Sequence, residues 1–452
     1  MNEKETAPKK HRRIKVSQVL IILLLICIGA FVLFRFRLQS RLRTRIEAIR
    51  AAGYPVTCAE LDQWYKIPPN VENAAYTIID AFSYYKLWDK EKSKPLPVAG
   101  RAELPARTEP MDEEMKALIT QYIADNNEAI EMLHAGAAIE HCRYPIDLSA
   151  GFETKLPPLS EIRAGLFMLK LEAVLHAEHG DGKLAIRSVK SCFGIARSLA
   201  KEPVTISQLV RSACQNNAAT TIEYCINRIK FTEEQLVELI ESVQDSERIS
   251  DMSCAFIGER CNGISFFKEP GSVNPDLIGG IPFQPILALY KAIGMADSDA
   301  IIYLDLMDEY IKIARLPLHE RRQAAEAVDA RFQSTSKVHV LFYAMMPALS
   351  RITTIDIRNV AQLLTARVGL AIERYRLAAG KLPDALADIV PDYLDSVPMD
   401  PFDGNELRYK KLEPGFVVYS INEDMGDDGG KEKPTGKRKR GESWDVTFIV
   451  ER

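Results

Sequence analysis

From Val16 to Phe34 the chain reads VSQVLIILLLICIGAFVLF, without one charged side chain. As a helix rising about 1.5 Å per residue this run is roughly 28 Å long, close to the hydrocarbon thickness of a bilayer. A helix of that length inside a water-soluble protein keeps a polar stripe. Here Ser17 and Gln18 are the only hydroxyl or amide side chains, and both sit at the start. A single-pass transmembrane helix over residues 16–36 is therefore expected, with the membrane bilayer as the first partner. The rival is a cleaved signal peptide, whose apolar core spans about 7–15 residues and ends at small residues. The longer run here passes straight into RFRLQSRLRTR, which favours an uncleaved anchor.

The flanks do not orient the anchor. Lys4, Lys9, Lys10, Arg12, Arg13 and Lys15 lie in a basic tail over residues 1–15, and Arg35, Arg37, Arg41, Arg43 and Arg45 lie beyond the span. The positive-inside comparison is nearly balanced. The net charge of −4 gives no global attraction to nucleic acid, and no nucleic-acid partner is expected. Cys58, Cys142, Cys192, Cys214, Cys225, Cys254 and Cys261 fall outside the span with no C-x-x-C among them. Most sit in helical patterns as small core residues. Cys254 and Cys261 are a candidate pair across a short loop in an oxidising compartment.

Beyond the span the pattern is mainly α. Leu38 to Ala52 reads as an arginine-rich helix ended by Gly53 and Pro55, and ENAAYTIIDAFSYYKLW as another. Residues 91–110 hold four prolines and many charges and read as a linker or surface loop. From Met111 to about Lys268 the apolar spacing is helical almost throughout, with a helical hairpin broken at Gly180 and Gly182. Thr232 and Gln235 form a candidate capping box. A Gly/Pro-rich loop, KEPGSVNPDLIGGIPFQP, precedes helices that run from about Ile286 to Arg315 and resume after Pro317. This gives a helical domain over 37–359. The last part changes character: an amphipathic helix ending at Gly380 and Pro383 is followed by short strands LRY, FVVYSI and DVTFIV. A helix on a small antiparallel sheet, an α+β module over 360–452, is expected.

Candidate chemistry is sparse. His176 and His179, with Glu172 one turn earlier, have zinc-ligand character, but a histidine at a helix C-terminus is favoured by the dipole in any case. His134 and His141 have no partner pattern and read as surface or loop residues. Ser83 with Lys86, and Ser198 with Lys201, match S-x-x-K without the accompanying motifs of that chemistry. Glu259 and Arg260, among apolar residues, read as a buried ion pair fixing a helix, with the lining of a pocket as the alternative.

The order YRLAAGKLPDAL, LDSVPMDPFDGNELRY, VYSINEDMGDDGG and WDV resembles the globular end of the major pseudopilins of bacterial type II secretion. The resemblance covers about Ala361 to Val450. It implies calcium in the last loop, with Asp424 in place of the loop aspartate and Asp445 in place of the one before the final strand. Asp427 and Asp428 join them as candidates by composition, because calcium takes several oxygen ligands. The adjoining KEKPTGKRKRGE reads as a solvated surface arm. Through ENAA, HAEHGD, QLVR and GER the whole chain also resembles large membrane-anchored proteins of planctomycete-type bacteria. Both resemblances imply a short cytoplasmic tail, an inner-membrane anchor and an extracytoplasmic bulk. The expected function is an envelope interaction or scaffold protein without identifiable catalysis, acting on an unidentified protein partner. The alternatives are an envelope hydrolase with a site assembled in the helical domain, and a cytoplasmic bulk with the same fold.

Overall fold

The computed structural model describes residues 16–156, 158–248, 252–269, 284–346, 349–434 and 442–452. The basic tail, most of the Gly/Pro loop after Lys268 and the Lys/Arg-rich centre of the last loop lie outside the described residues. The expected span and the arginine-rich helix after it are one element, α1 (Val16–Ala51). After Gly29 this stretch has no proline or glycine before Gly53, so the hydrogen-bond ladder has no cause to stop. It ends where Gly53 takes a left-handed φ of 81° and Tyr54 N–H bonds back to the Ile49 carbonyl. Large apolar side chains from Val19 to Phe36 are exposed, whereas Leu38 and Ile49 are buried.

Three short helices follow, α2 (Cys58–Trp64), α3 (Ala74–Phe82) and α4 (Lys90–Ser93), with Thr57, Asn73 and Asp89 accepting from backbone N–H groups as N-caps. The stretch expected as a linker is partly built in, since Leu96 is fully buried. Then come α5 (Glu113–Asp125), α6 (Asn127–Ala138), α7 (Leu159–Glu178), α8 (Gly182–Ser198), α9 (Thr205–Ile226) and α10 (Glu233–Arg248). The α7–α8 hairpin turns at Gly180 with φ of 74°, and the Thr232–Gln235 box closes in both directions at the start of α10. Next are α11 (Ser253–Lys268), α12 (Gln284–Ala292), α13 (Met295–Ile313), α14 (Leu318–Ser334), α15 (Val340–Met345) and α16 (Leu349–Ala379). The chain closes with β1 (Arg408–Lys411), β2 (Phe416–Ser420) and β3 (Val446–Val450), an antiparallel sheet in that order with Val418 opposite both Tyr409 and Phe448.

Among the described residues the molecule is mainly helical, with one small sheet and an apolar helix near the N-terminus. Its centre is α16, which packs on α9, α10 and α14 and carries β2 and β3. The stretch Val340–Ala379 also holds a window apolar enough to cross a membrane, but half of that window is buried inside the body, as a central helix requires. The expected division between 359 and 360 falls inside α16, and one core of buried side chains runs from Leu61 to Val450.

Candidate functional site

A polar crevice of about 960 Å³ opens where the helical body meets the sheet and its last loop. One wall is α9, with Ser212, Asn216 and Glu223; another is α16, with Arg358, Asn359 and Gln362; residues 103–107 and 432–433 with Trp444 complete the rim. The seam is stitched by backbone and side-chain bonds. Gln362 donates to the Thr447 carbonyl at 3.0 Å, and Asn227 donates to the Ile449 carbonyl and accepts from Glu451 N–H.

Arg107 holds the rim together, pairing with Glu223 at 2.6 Å and with Glu432. Burial pushes the Glu223 carboxyl up to about 7, against the opposing pull of Arg107. At the other end Arg358 donates to Asn422 at 3.0 Å and pairs with Glu423 at 2.6 Å. The Arg358 guanidinium and the Lys433 ammonium each lie 5.5 Å from the Trp444 ring, within reach of cation–π attraction.

The four aspartates expected to bind calcium lie along the last loop and have separate tasks. Asp424 is exposed and accepts from Gly426 N–H at 3.3 Å. Asp427 accepts from Gly429 N–H at 2.9 Å and lies 3.6 Å from Arg408. Asp428 accepts from the Ser443 hydroxyl at 2.7 Å, while its Oδ2 is buried with no hydrogen-bond partner among the described residues. Asp445 is buried and accepts from Gly430 N–H at 2.8 Å and Asp428 N–H at 3.4 Å. Burial, helped by the charges of Asp428 and Asp427, raises the Asp445 carboxyl, and the two amides oppose this. Among the described residues no three His, Cys, Asp or Glu side chains are arranged to hold a metal ion. As they stand, the four form a hydrogen-bonded turn with one spare carboxylate oxygen. A fifth acid, Asp400, does more for the module: it is fully buried and accepts from Phe402 N–H, Ile421 N–H, the Ser420 hydroxyl and Arg408.

His134 departs from its expected place at the surface. It is buried on α6, with Nδ1 2.7 Å from the Ser191 hydroxyl of α8 and Nε2 2.8 Å from Glu172 of α7. The ring therefore links Ser191 and Glu172 through its two nitrogens. Burial pushes the Glu172 carboxyl up, but hydrogen bonds from His134 and Ser188 outweigh it and hold the group below its usual range. Glu172 therefore bonds to His134 rather than completing a set with His176 and His179, and His179 caps α7. Glu259 and Arg260 do not pair with each other. Thr205 donates to Glu259 at 2.5 Å, and Arg260 reaches Asp308 at 3.0 Å. Neighbouring residues on a helix point about 100° apart, which sends the two charges to different neighbours. Cys254 and Cys261 lie two turns apart on α11, not across a short loop. No protein-family model, no curated protein and no solved structure matches this chain.

Proposed function

We propose that this chain is a single-pass membrane-anchored scaffold that holds a helical body and its polar crevice close against the inner membrane, on the extracytoplasmic side. The observation that carries this reading is the continuity of α1. An exposed apolar helix as long as a bilayer is thick runs unbroken into a segment fastened to α13. Arg35 pairs with Asp297 at 2.6 Å, Arg45 with Asp305 and with Asp308 at 3.4 Å, and Ile49 joins Val56 and Leu304 in a small apolar cluster. A strut without a hinge sets the height of the body, and the crevice, with Trp444 close to two cations, is the surface offered to a protein partner. The side of the membrane and the likeness of the α16–sheet module to a pseudopilin head rest on the order of sequence motifs.

The test is extraction of native membranes with alkaline carbonate. Retention in the pellet supports the anchor; release of the intact chain overturns it. An impermeant maleimide on Leu184→Cys, with only the outer envelope opened, reads the side: labelling supports an extracytoplasmic body, and labelling only after inner-membrane lysis reverses the orientation.

Calcium at the last loop belongs to the same reading, supported by the resemblance and by the spare Oδ2 of Asp428. A calcium-dependent rise in the thermal midpoint of the solubilised chain, lost in Asp428→Asn, supports it; an unchanged midpoint removes it. The hydrolase reading has one observation in its favour, the Ser191–His134–Glu172 chain of contacts. All three groups are buried, and none lines the crevice, so they equally form a satisfied core cluster. A serine-directed fluorophosphonate probe decides: labelling abolished by Ser191→Ala supports hydrolysis, and unlabelled protein removes it.

A further inference from the structure

We propose that α12 and the neighbouring Val338–Val340 segment form a second membrane contact, an apolar patch with basic flanks that rests in the headgroup layer of an anionic bilayer beside the exit of α1. This rests on the anchor reading above and adds to it a surface of the body that touches lipid.

The placement follows from α13. Its Asp297 meets Arg35 and its Asp305 meets Arg45, so α13 runs parallel to α1 and begins at the level where the apolar span ends. Gly294, the residue before α13, has φ of 89° and is pressed against Arg35; a Cβ there would stand 2.2 Å from the guanidinium. The end of α12 lies immediately before this glycine, so it too lies at the membrane boundary.

The side chains sort accordingly. Leu287 and Tyr290 pack toward the core. The Tyr290 hydroxyl lies 2.8 Å from Asp299 and 2.9 Å from the Val338 carbonyl, and it accepts from Val340 N–H at 3.1 Å. His339 meets Asp299 at 2.6 Å. These bonds fix α12 and the Val338–Val340 segment as one piece and leave Leu289, Ile293, Val338 and Val340 outward at 61%, 43%, 58% and 48% exposure. Lys291 and Lys337 flank the patch and are exposed, the first donating to the Lys268 carbonyl at 2.9 Å and the second lying over the Tyr343 ring, while Asp297 and Asp299 are turned to partners inside. Exposed apolar side chains flanked by cations are costly in water alone. They are favoured at an interface that offers acyl chains below and anionic headgroups around. Because α1 already holds the patch at that boundary, lipid rather than a soluble protein is what it meets first.

The test uses the full chain in nanodiscs containing phosphatidylglycerol, with nitroxide attached in the headgroup region or deep on the acyl chain. Cys27, the exposed native cysteine of the span, carries an NBD label as the anchor reporter. In a Cys27→Ala background the label moves to Leu289→Cys, or to Leu184→Cys on α8 as a control away from α1, α12 and α13. The expected result is strong deep quenching at Cys27, and headgroup quenching at residue 289 about threefold above that at residue 184. Equal headgroup quenching at residues 289 and 184, with Cys27 still quenched, overturns the lipid contact and leaves the anchor standing. Shielding of residue 289 by cross-linking to a second copy likewise overturns it. Absent quenching at Cys27 overturns the anchor itself.

Discussion

Glu202 lies fully buried between α8 and α9, with the Ser207 hydroxyl donating to it, and burial pushes its carboxyl from 4.5 up to about 7. The sign follows from the folded value lying above the unfolded one. The stability the protonated group contributes is whole below the unfolded value and is lost as pH rises through the folded one. A shift of this size corresponds to about 3 kcal/mol. Glu202→Gln is expected to flatten the fall in stability between about pH 4.5 and about pH 7, read as the thermal midpoint of the solubilised chain against pH. A wild-type slope retained in the variant would assign the titration elsewhere. The His134 cluster predicts a loss instead. His134→Ala leaves Glu172 and Ser191 buried without their shared partner and is expected to cost about 3 kcal/mol in chemical unfolding, with His134→Gln recovering part of it. The cluster was not read from the sequence: His134 is expected at the surface or in a loop, although it falls four residues after Ile130 and one after Leu133, on the face that is buried. Its partners left no local signal, because Glu172 and Ser191 reach it from other helices, and spacing within a helix carries no record of contacts across helices.

At the scale of elements, glycines fix how closely neighbours approach. A Cβ at Gly369 would stand 2.3 Å from the Phe448 ring, so this position lets β3 settle onto α16. A Cβ at Gly194 would stand 2.4 Å from the Ala137 carbonyl oxygen, so α8 can lie against the end of α6. Gly369→Val is expected to destabilise by about 3 kcal/mol and to release β3 first, seen as faster amide exchange at Val446–Val450 than in α7 and α8. Uniform exchange across the chain would show that sheet and body unfold as one unit. Caps, the α7–α8 turn and the three strands could be read from local chemistry, because each depends on a few adjacent residues. The continuity of α1 was less visible. The change from apolar to arginine-rich reads in sequence as a break between two elements, yet both compositions are good helix formers, so the helix continues through it.

For the whole molecule, the positions of exposed and buried side chains along α1 divide anchor from body. Large apolar side chains are exposed through Phe36, the first buried one is Leu38, and the first ion pair to the body is Arg35 with Asp297. The body's core runs from α2 to β3 without any contribution from Val16–Phe34. A chain shortened by residues 1–34 therefore loses, over Val16–Phe34, exposed apolar surface and little packing. The shortened chain is expected to stay in the supernatant after ultracentrifugation without detergent, with a thermal midpoint within about 5 °C of the full chain in detergent. It is also expected to sediment with phosphatidylglycerol vesicles but not with phosphatidylcholine ones, through α12, and to lose that binding in a Leu289→Asp, Ile293→Asp double variant. The two measurements separate the levels of the argument. Aggregation of the shortened chain would mean that α1 is part of the core. A soluble chain indifferent to anionic vesicles would limit the contact with lipid to the single helix, because one anchor and one weak surface each bind less firmly than the two together.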